Sequence, residues 1–312
     1  MTIRFHQLDL NLLVALDALI SERSITGAAT RLNLSQSATS GILGRLREYF
    51  GDELLVQVGR KMLPTPLAVN LSARVRQVLM TVHSTIVNRV EFNPATSNRH
   101  FRICASDFVK TVLLTTVVRQ LEQEAPGITL EFSSPDGDPL GQLDRGELDF
   151  LILPDYLLEQ QHPKVSLFET RHTCVVWTGN RFVKDTLSFE QYMELGHVVV
   201  RIGARPQPTF EEWFIKQFGH TRRIEIVTDS FNSLPQFIFG TQRIATVHDR
   251  LAAFYARTLE LRLLPTPVGI PVLMEGLQWH KYLDADAGHQ WMISLIRRCA
   301  SVGIEKASPV ES

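Results

Sequence analysis

The 312-residue chain is 44% hydrophobic and 21% charged, with a net charge of −1. Its apolar runs stop short of the ~20 residues a membrane span requires, and Asp9, Asn11 and Asp17 break up the apolar N-terminal patch, so neither a spanning helix nor a secretory leader is expected. Cys104, Cys174 and Cys299 are odd in number and far apart, which excludes a disulfide framework and a C-x-x-C zinc site and fits a reducing cytoplasm.

Leu8, Leu12, Leu13, Leu16 and Leu19 return at helical spacing and predict a helix over 8–21. Ser24 caps a second helix with Ile25, Ala28, Ala29 and Leu32 on its buried face. Gly27, Ala28 and Ala29 are small enough to let it approach a third. Asn33 and Leu34 make the turn, and Ser35 caps that third helix, SQSATSGILGRLREYF, predicted to be buried through Ala38, Ile42, Leu43, Leu46 and Phe50. Two short helices joined by a few residues suggest helix-turn-helix. GDELLVQVGRKMLP then reads as a β-wing with a Gly-Arg-Lys tip. Arg47 and Glu48 read as a solvated face.

Pro64-Thr65-Pro66 ends the wing, with Thr65 as N-cap and Pro66 at the first helical position of a long helix reaching about Val90. Leu71, Val75, Val78, Val82 and Ile86 follow a near-heptad seam, which suggests a dimer helix. The first 90 residues carry ten Lys and Arg against six Asp and Glu, with no acidic residue from Leu54 to Val90. A basic head on an acidic body suggests a polyanionic partner, although charge alone also allows chance.

EFNPATSN reads as a polar hinge. HFRICAS, a helix over 107–124, ITLEFSS, a short helix in LGQLDRGE, and LDFLILP form a β-α-β-α-β rhythm that predicts a doubly wound parallel sheet. HTCVVWT, GHVVVRI, RRIEIVT and RIATVH continue it, and a final helix covers about 286–301. Ligands of open α/β folds sit beyond the carboxyl ends of the strands.

The stretch RFHQLDLNLLVALDALISERSITGAATRLNLSQSATSGILGRLREYFGDELLVQVGRKMLPTPLA resembles the N-terminal domain of LysR-type transcriptional regulators, and the likeness extends over essentially the whole chain. GELDFLILPDYLL, HPKVSLFE, EEWF, RRIEIV and EGLQW are similar to the nodulation-regulator, NodD-like branch; regulators of chlorinated-aromatic and nitroaromatic degradation share much of the pattern. The resemblance implies an α/β protein: a winged helix-turn-helix at 1–64, a linker and dimerisation helix at 65–92, and a periplasmic-binding-protein-like effector domain at 93–305, followed by a tail at 306–312. The effector domain would comprise one subdomain of 93–166 plus 267–305 and another of 167–266.

The resemblance makes Gln36, Ser37 and Ser40 groove-facing, with Ser35, Thr39 and Thr65 in the same DNA-binding set and Arg31, Arg45, Arg60 and Lys61 as phosphate or minor-groove contacts. Gln can pair with an adenine edge, and helix N-terminal N–H groups favour phosphate. Taken locally, Gln36, Ser37 and Ser40 are also compatible with ordinary capping and solvation. Where the family usually has Pro, this chain has Ser37; where it usually has an aliphatic residue, it has Thr39.

An inducer cleft between the subdomains would be lined by Ser106 and Asp107 on one side. Opposite them would lie Arg201, the loop IGARPQPT with Gly203 and Arg205, the helix start Phe231-Asn232-Ser233, and His248. Phe231 offers an apolar face, and Arg201 or Arg205 a partner for phenolate or carboxylate. Each also has a structural reading: Ser106 and Asp107 as helix caps, Phe231 as core, His248 as surface. The implied partners are double-stranded promoter DNA, a small aromatic inducer such as a flavonoid or chlorinated phenol, RNA polymerase, and a homodimer or homotetramer of the chain, with no membrane. No cofactor, metal or catalytic residue is expected: G-x-S-x-G, G-x-x-x-x-G-K-[ST] and H-E-x-x-H are missing, and His280 and His289 read as structural. The reading from another class is a small-molecule binding protein with a non-functional DNA head.

Overall fold

The computed structural model describes residues 9–59, 61–86, 92–201 and 210–305, without the side chains of 61, 83–86, 210–212 and 302–305. Arg60, Gly203 and Arg205, and the side chain of Lys61, therefore lie outside the described residues. Contacts divide the chain into two compact units: residues 1–91 with 144–147 and 282–286, and the remainder.

The first unit opens with α1 (Leu10–Glu22), whose N-cap Asp9 accepts from the Asn11 N–H, and which stops at Arg23 in the left-handed conformation. Ser24 caps α2 (Ile25–Leu32), Asn33 turns the chain at φ 54°, and Ser35 caps α3 (Gln36–Phe50). Leu12, Leu16, Leu19, Ala28, Leu43 and Leu46 close a core between the three helices. Asp17 is buried in it, accepting from Arg76 Nε at 2.8 Å and from an Arg31 terminal nitrogen at 3.0 Å. A Cβ at Gly27 would press on Glu22 at the end of α1, so its smallness serves that contact rather than an approach to α3.

The wing is an antiparallel pair, β1 (Leu55–Val58) and β2 (Lys61–Pro64). Asp52 organises its base: one carboxylate oxygen accepts from the Leu54 N–H and from the Thr65 hydroxyl. Thr65 also caps α4 (Pro66–Ile86) by accepting from the Ala68 N–H. The expected α4 seam is divided. Val75 is buried and Leu71 packs on the head core, whereas Val78 remains 46% exposed.

The second unit contains two five-stranded sheets. In the first, β3 (His100–Ala105) runs parallel to β4 (Thr129–Ser133) and β5 (Phe150–Pro154), while β12 (Leu273–Gln278) runs antiparallel between β5 and β6 (Lys164–Thr170). In the second, β8 (His197–Val200) is parallel to β9 (Ile224–Thr228) and β10 (Ile244–His248), and β7 (His172–Trp177) is antiparallel to both β10 and β11 (Leu261–Leu264). The expectation of a wholly parallel sheet is therefore corrected: each sheet takes in strands where the chain crosses between lobes, and those strands enter antiparallel. The crossing itself falls at Arg171, because Thr170 still pairs with Leu273 in the first sheet; the expected crossover, near Leu167 to Thr170, immediately precedes it.

The helix after β3 is continuous but not uniform. A short α-helical turn, α5 (Asp107–Val109), is followed by a π-turn over Lys110–Leu114 and then α6 (Thr115–Glu124). Such π-turns cluster at functional positions. Phe108, Val109, Leu113, Phe150, Ile152 and Met292 are among the buried residues of the first lobe's core, and Leu251 from the helix Asp249–Tyr255 joins them.

Candidate DNA-reading edge and effector cavity

At the start of α3, Gln36, Ser37 and Ser40 are exposed on one edge. The expected stripe holds at Leu43 and Leu46, which are buried, and at Ile42 and Phe50, which pack on the core; only its first position differs, Ala38 being exposed and Thr39 buried. Thr39 is fully buried and its hydroxyl donates to the Ser35 carbonyl, so its side chain is removed from the reading set. Ser35 spends its hydroxyl on the Ala38 N–H, within 3.0 Å of the Ser37 hydroxyl.

The basic residues divide by what already holds them. Arg31 pairs with Asp17 and Glu22. Arg45 is exposed and forms no ion pair among the described residues. Arg47, expected on a solvated face, instead donates to the Glu53 carbonyl at 2.9 Å and the Leu55 carbonyl at 2.8 Å, tying α3 to the wing.

In the second unit a cavity of about 480 Å³ lies among Ser106, Phe108, His172, Trp213, Phe231, His248 and Glu275. That volume is in the ~300–1,000 Å³ range of small-molecule sites. Of the expected effector residues, Ser106, Phe231 and His248 line it. Ser106 also caps α5, accepting from the Val109 N–H. Asp107 and Asn232 do not line it; they bond each other's elements. One Asp107 carboxylate oxygen accepts from the Ser230 hydroxyl at 2.7 Å and from the Asn232 N–H at 2.9 Å, and the Asn232 amide donates to Thr111. Ser233 is the N-cap of the helix Leu234–Ile238 and does not line the cavity, and Arg201 is exposed with its N–H donating to the Thr228 carbonyl.

His248 is buried rather than a surface residue, because β10 is the central strand of its sheet. Burial, with His172 alongside, holds its proton affinity well below the ordinary range, so it is neutral. Burial likewise pushes His172 down to about 4 and raises the Glu275 carboxyl to about 7. Thr246 and Arg222 complete a polar corner, where Arg222 donates to Tyr192, His197 and Thr246. Phe108, Trp213, Arg222 and Glu275 were missed from sequence. Only Phe108, directly after Asp107 at a strand end, carried a local signal.

The chain matches two family models: the bacterial regulatory helix-turn-helix protein of the lysR family over residues 10–69 and the LysR substrate binding domain over residues 94–300. The chain belongs to the LysR family. As a LysR-type transcriptional regulator it is a DNA-binding protein and not an enzyme. It is 43% identical over 289 residues to nodulation protein D 3 of Rhizobium leguminosarum bv. phaseoli, covering 93% of this chain and 96% of that one. It is 42% identical to nodulation protein D 2 of Rhizobium tropici, covering 98% of each. A solved structure from Pseudomonas aeruginosa, described as a "probable transcriptional regulator", superposes with a TM-score of 0.71 at 27% identity, covering 94% of this chain and 97% of that one. Among the described residues of this LysR-family chain, no helix is long and apolar enough to cross a membrane.

Proposed function

We propose that this LysR-family protein is a transcriptional activator that binds promoter DNA through the leading edge of α3 and responds to a small aromatic inducer held in the 480 Å³ cavity. Gln36, Ser37 and Ser40 read base edges, and Arg45, Arg60 and Lys61 position the head on phosphate. The carrying observation is the cavity wall, where the aromatic side chains Phe108, Trp213 and Phe231 stand with uncharged His248. That chemistry suits a flat aromatic such as a flavonoid or a chlorinated phenol. Likeness to the nodulation D proteins over nearly the full chain favours the flavonoid class and the activator role.

The reading extends to a homodimer through the α4 region, a tetramer on the promoter, and contact with RNA polymerase. Inducer acts only if it binds the activating arrangement of the lobes more tightly than the other. Footprinting of the protein on its own upstream region, with and without hydroxyflavones or chlorophenols, tests this. A footprint that changes with a phenol, together with raised promoter output, is expected. A footprint and output indifferent to every phenol would overturn the inducer class, and retention on DNA without salt dependence would point to the binding protein with a non-functional head.

A further inference from the structure

Glu275 stands in β12 between Pro154 of β5 and Phe168 of β6, beside the bulge at Gly276. Its side chain is 3% exposed and forms part of the cavity wall, and its Oε2 hydrogen-bonds to no described group. A buried carboxyl oxygen without a donor is destabilising, and a leucine would serve packing better. The cations do not answer it. Arg222 is the only Lys or Arg among the described lining residues, and it is directed to Tyr192, His197 and Thr246.

The wall therefore presents an unmet carboxyl oxygen in a space lined mainly by aliphatic and aromatic side chains. Burial raises this carboxyl to about 7, so both protonation states are present near neutrality. A hydroxyl partner satisfies both, since it can donate to a carboxylate and accept from a carboxylic acid. A methoxy group only accepts. An ionised carboxylate only accepts and adds a like charge.

We propose that Glu275 selects the ligand of this cavity by hydrogen-bonding a hydroxyl group of an uncharged aromatic compound, discriminating against the corresponding O-methyl ether and against aromatic carboxylates. This rests on the aromatic-inducer reading above and adds the group that is recognised.

The test titrates the full-length protein with a set of hydroxyflavones and chlorophenols, each alongside its O-methyl ether, followed by tryptophan fluorescence. Wild type is expected to prefer at least one phenol over its ether by about tenfold or more. Glu275→Leu should abolish that preference by weakening the phenol alone, and Glu275→Gln, which both donates and accepts, should keep most of it. Thermal unfolding of each variant confirms that it is folded. If wild type binds phenols but does not distinguish them from their ethers, or Glu275→Leu weakens both alike, the assignment of Glu275 is overturned while the aromatic reading stands. If wild type binds none of the compounds, the aromatic reading falls and this assignment with it.

Discussion

The ring of Phe108 lies on the imidazole of His248, with centroids 4.1 Å apart and planes 17° from parallel. One comes from the helix after β3, the other from the end of β10, so the stack joins the two lobes at the cavity. Burial keeps the His248 imidazole uncharged, and that has a consequence for acid stability.

His248, His172 and His197 are all held below their ordinary value of 6.5 by burial, His172 to about 4 and His197 to about 3. Unfolding returns them to ordinary proton affinity, so below about pH 6.5 the unfolded chain binds more protons than the folded one. Their stability contribution is complete above that pH and is lost as pH falls toward 4, by up to ~1.4 kcal/mol per histidine per pH unit. Thermal unfolding from pH 7.5 to 5 should show the fall, less steeply in His248→Leu. An unchanged slope in that variant would show that His248 takes up no proton on unfolding.

Glu275 works in the opposite sense. Its folded value of about 7 exceeds the ordinary 4.5, so its contribution is complete below 4.5 and is lost as pH rises through about 7. Relative to wild type, Glu275→Gln should gain up to ~3 kcal/mol in going from pH 4.5 to pH 8. Denaturant titrations at the two pH values measure the difference, and a pH-independent difference would contradict it.

On α3, Gln36→Ala should cost ~1–3 kcal/mol on a specific operator while sparing binding to unrelated DNA. Thr39→Val removes a buried hydroxyl that donates to the Ser35 carbonyl, so it should lower stability by ~1 kcal/mol and leave sequence preference unchanged. Competition binding against operator and random DNA separates them. Equal loss on both DNAs for Gln36→Ala would remove it from base reading.

Asp17 holds α1 to α4 through Arg76, with both side chains close to one-tenth exposed. Asp17→Ala leaves that guanidinium with Glu147, at 3.1 Å, as its remaining carboxylate partner and should destabilise the head by about 2 kcal/mol. Hydrogen exchange across residues 10–50 should rise. No change there would show that Asp17 contributes little.

Asp107→Ala removes the acceptor shared by Ser230 and Asn232. A loss of about 2 kcal/mol in stability is expected, with faster amide exchange at 230–233. Unaltered exchange would mean the tie between the lobes is carried elsewhere.

The head was legible because its signals are local: Ser24, Ser35 and Thr65 each cap the helix that their position announces. Only the first buried position of α3 was misplaced, because Ala38 and Thr39 are both small and apolarity favoured the wrong one. Strand direction was not legible, since an apolar run such as LDFLILP reads the same beside a parallel or an antiparallel neighbour. The cavity was half visible. Ser106, Phe231 and His248 stand at strand or helix ends, where fold-level reasoning looks. Glu275 sits mid-strand in LMEGLQ, where a lone acid looks solvent-facing; only its pairing with both β5 and β6, each over 100 residues away in sequence, buries it.

The Arg47 bonds to the Glu53 and Leu55 carbonyls tie α3 to the wing, which makes the two a single gauge in the proposed mode of DNA binding. On DNA, a gauge of fixed span measures the interval between its groove contact and its flanking backbone contact. Inserting one base pair, about 3.4 Å along the duplex, would be met by losing a contact rather than by flexing, so operator spacing becomes part of what the protein recognises, at positions where it touches no base.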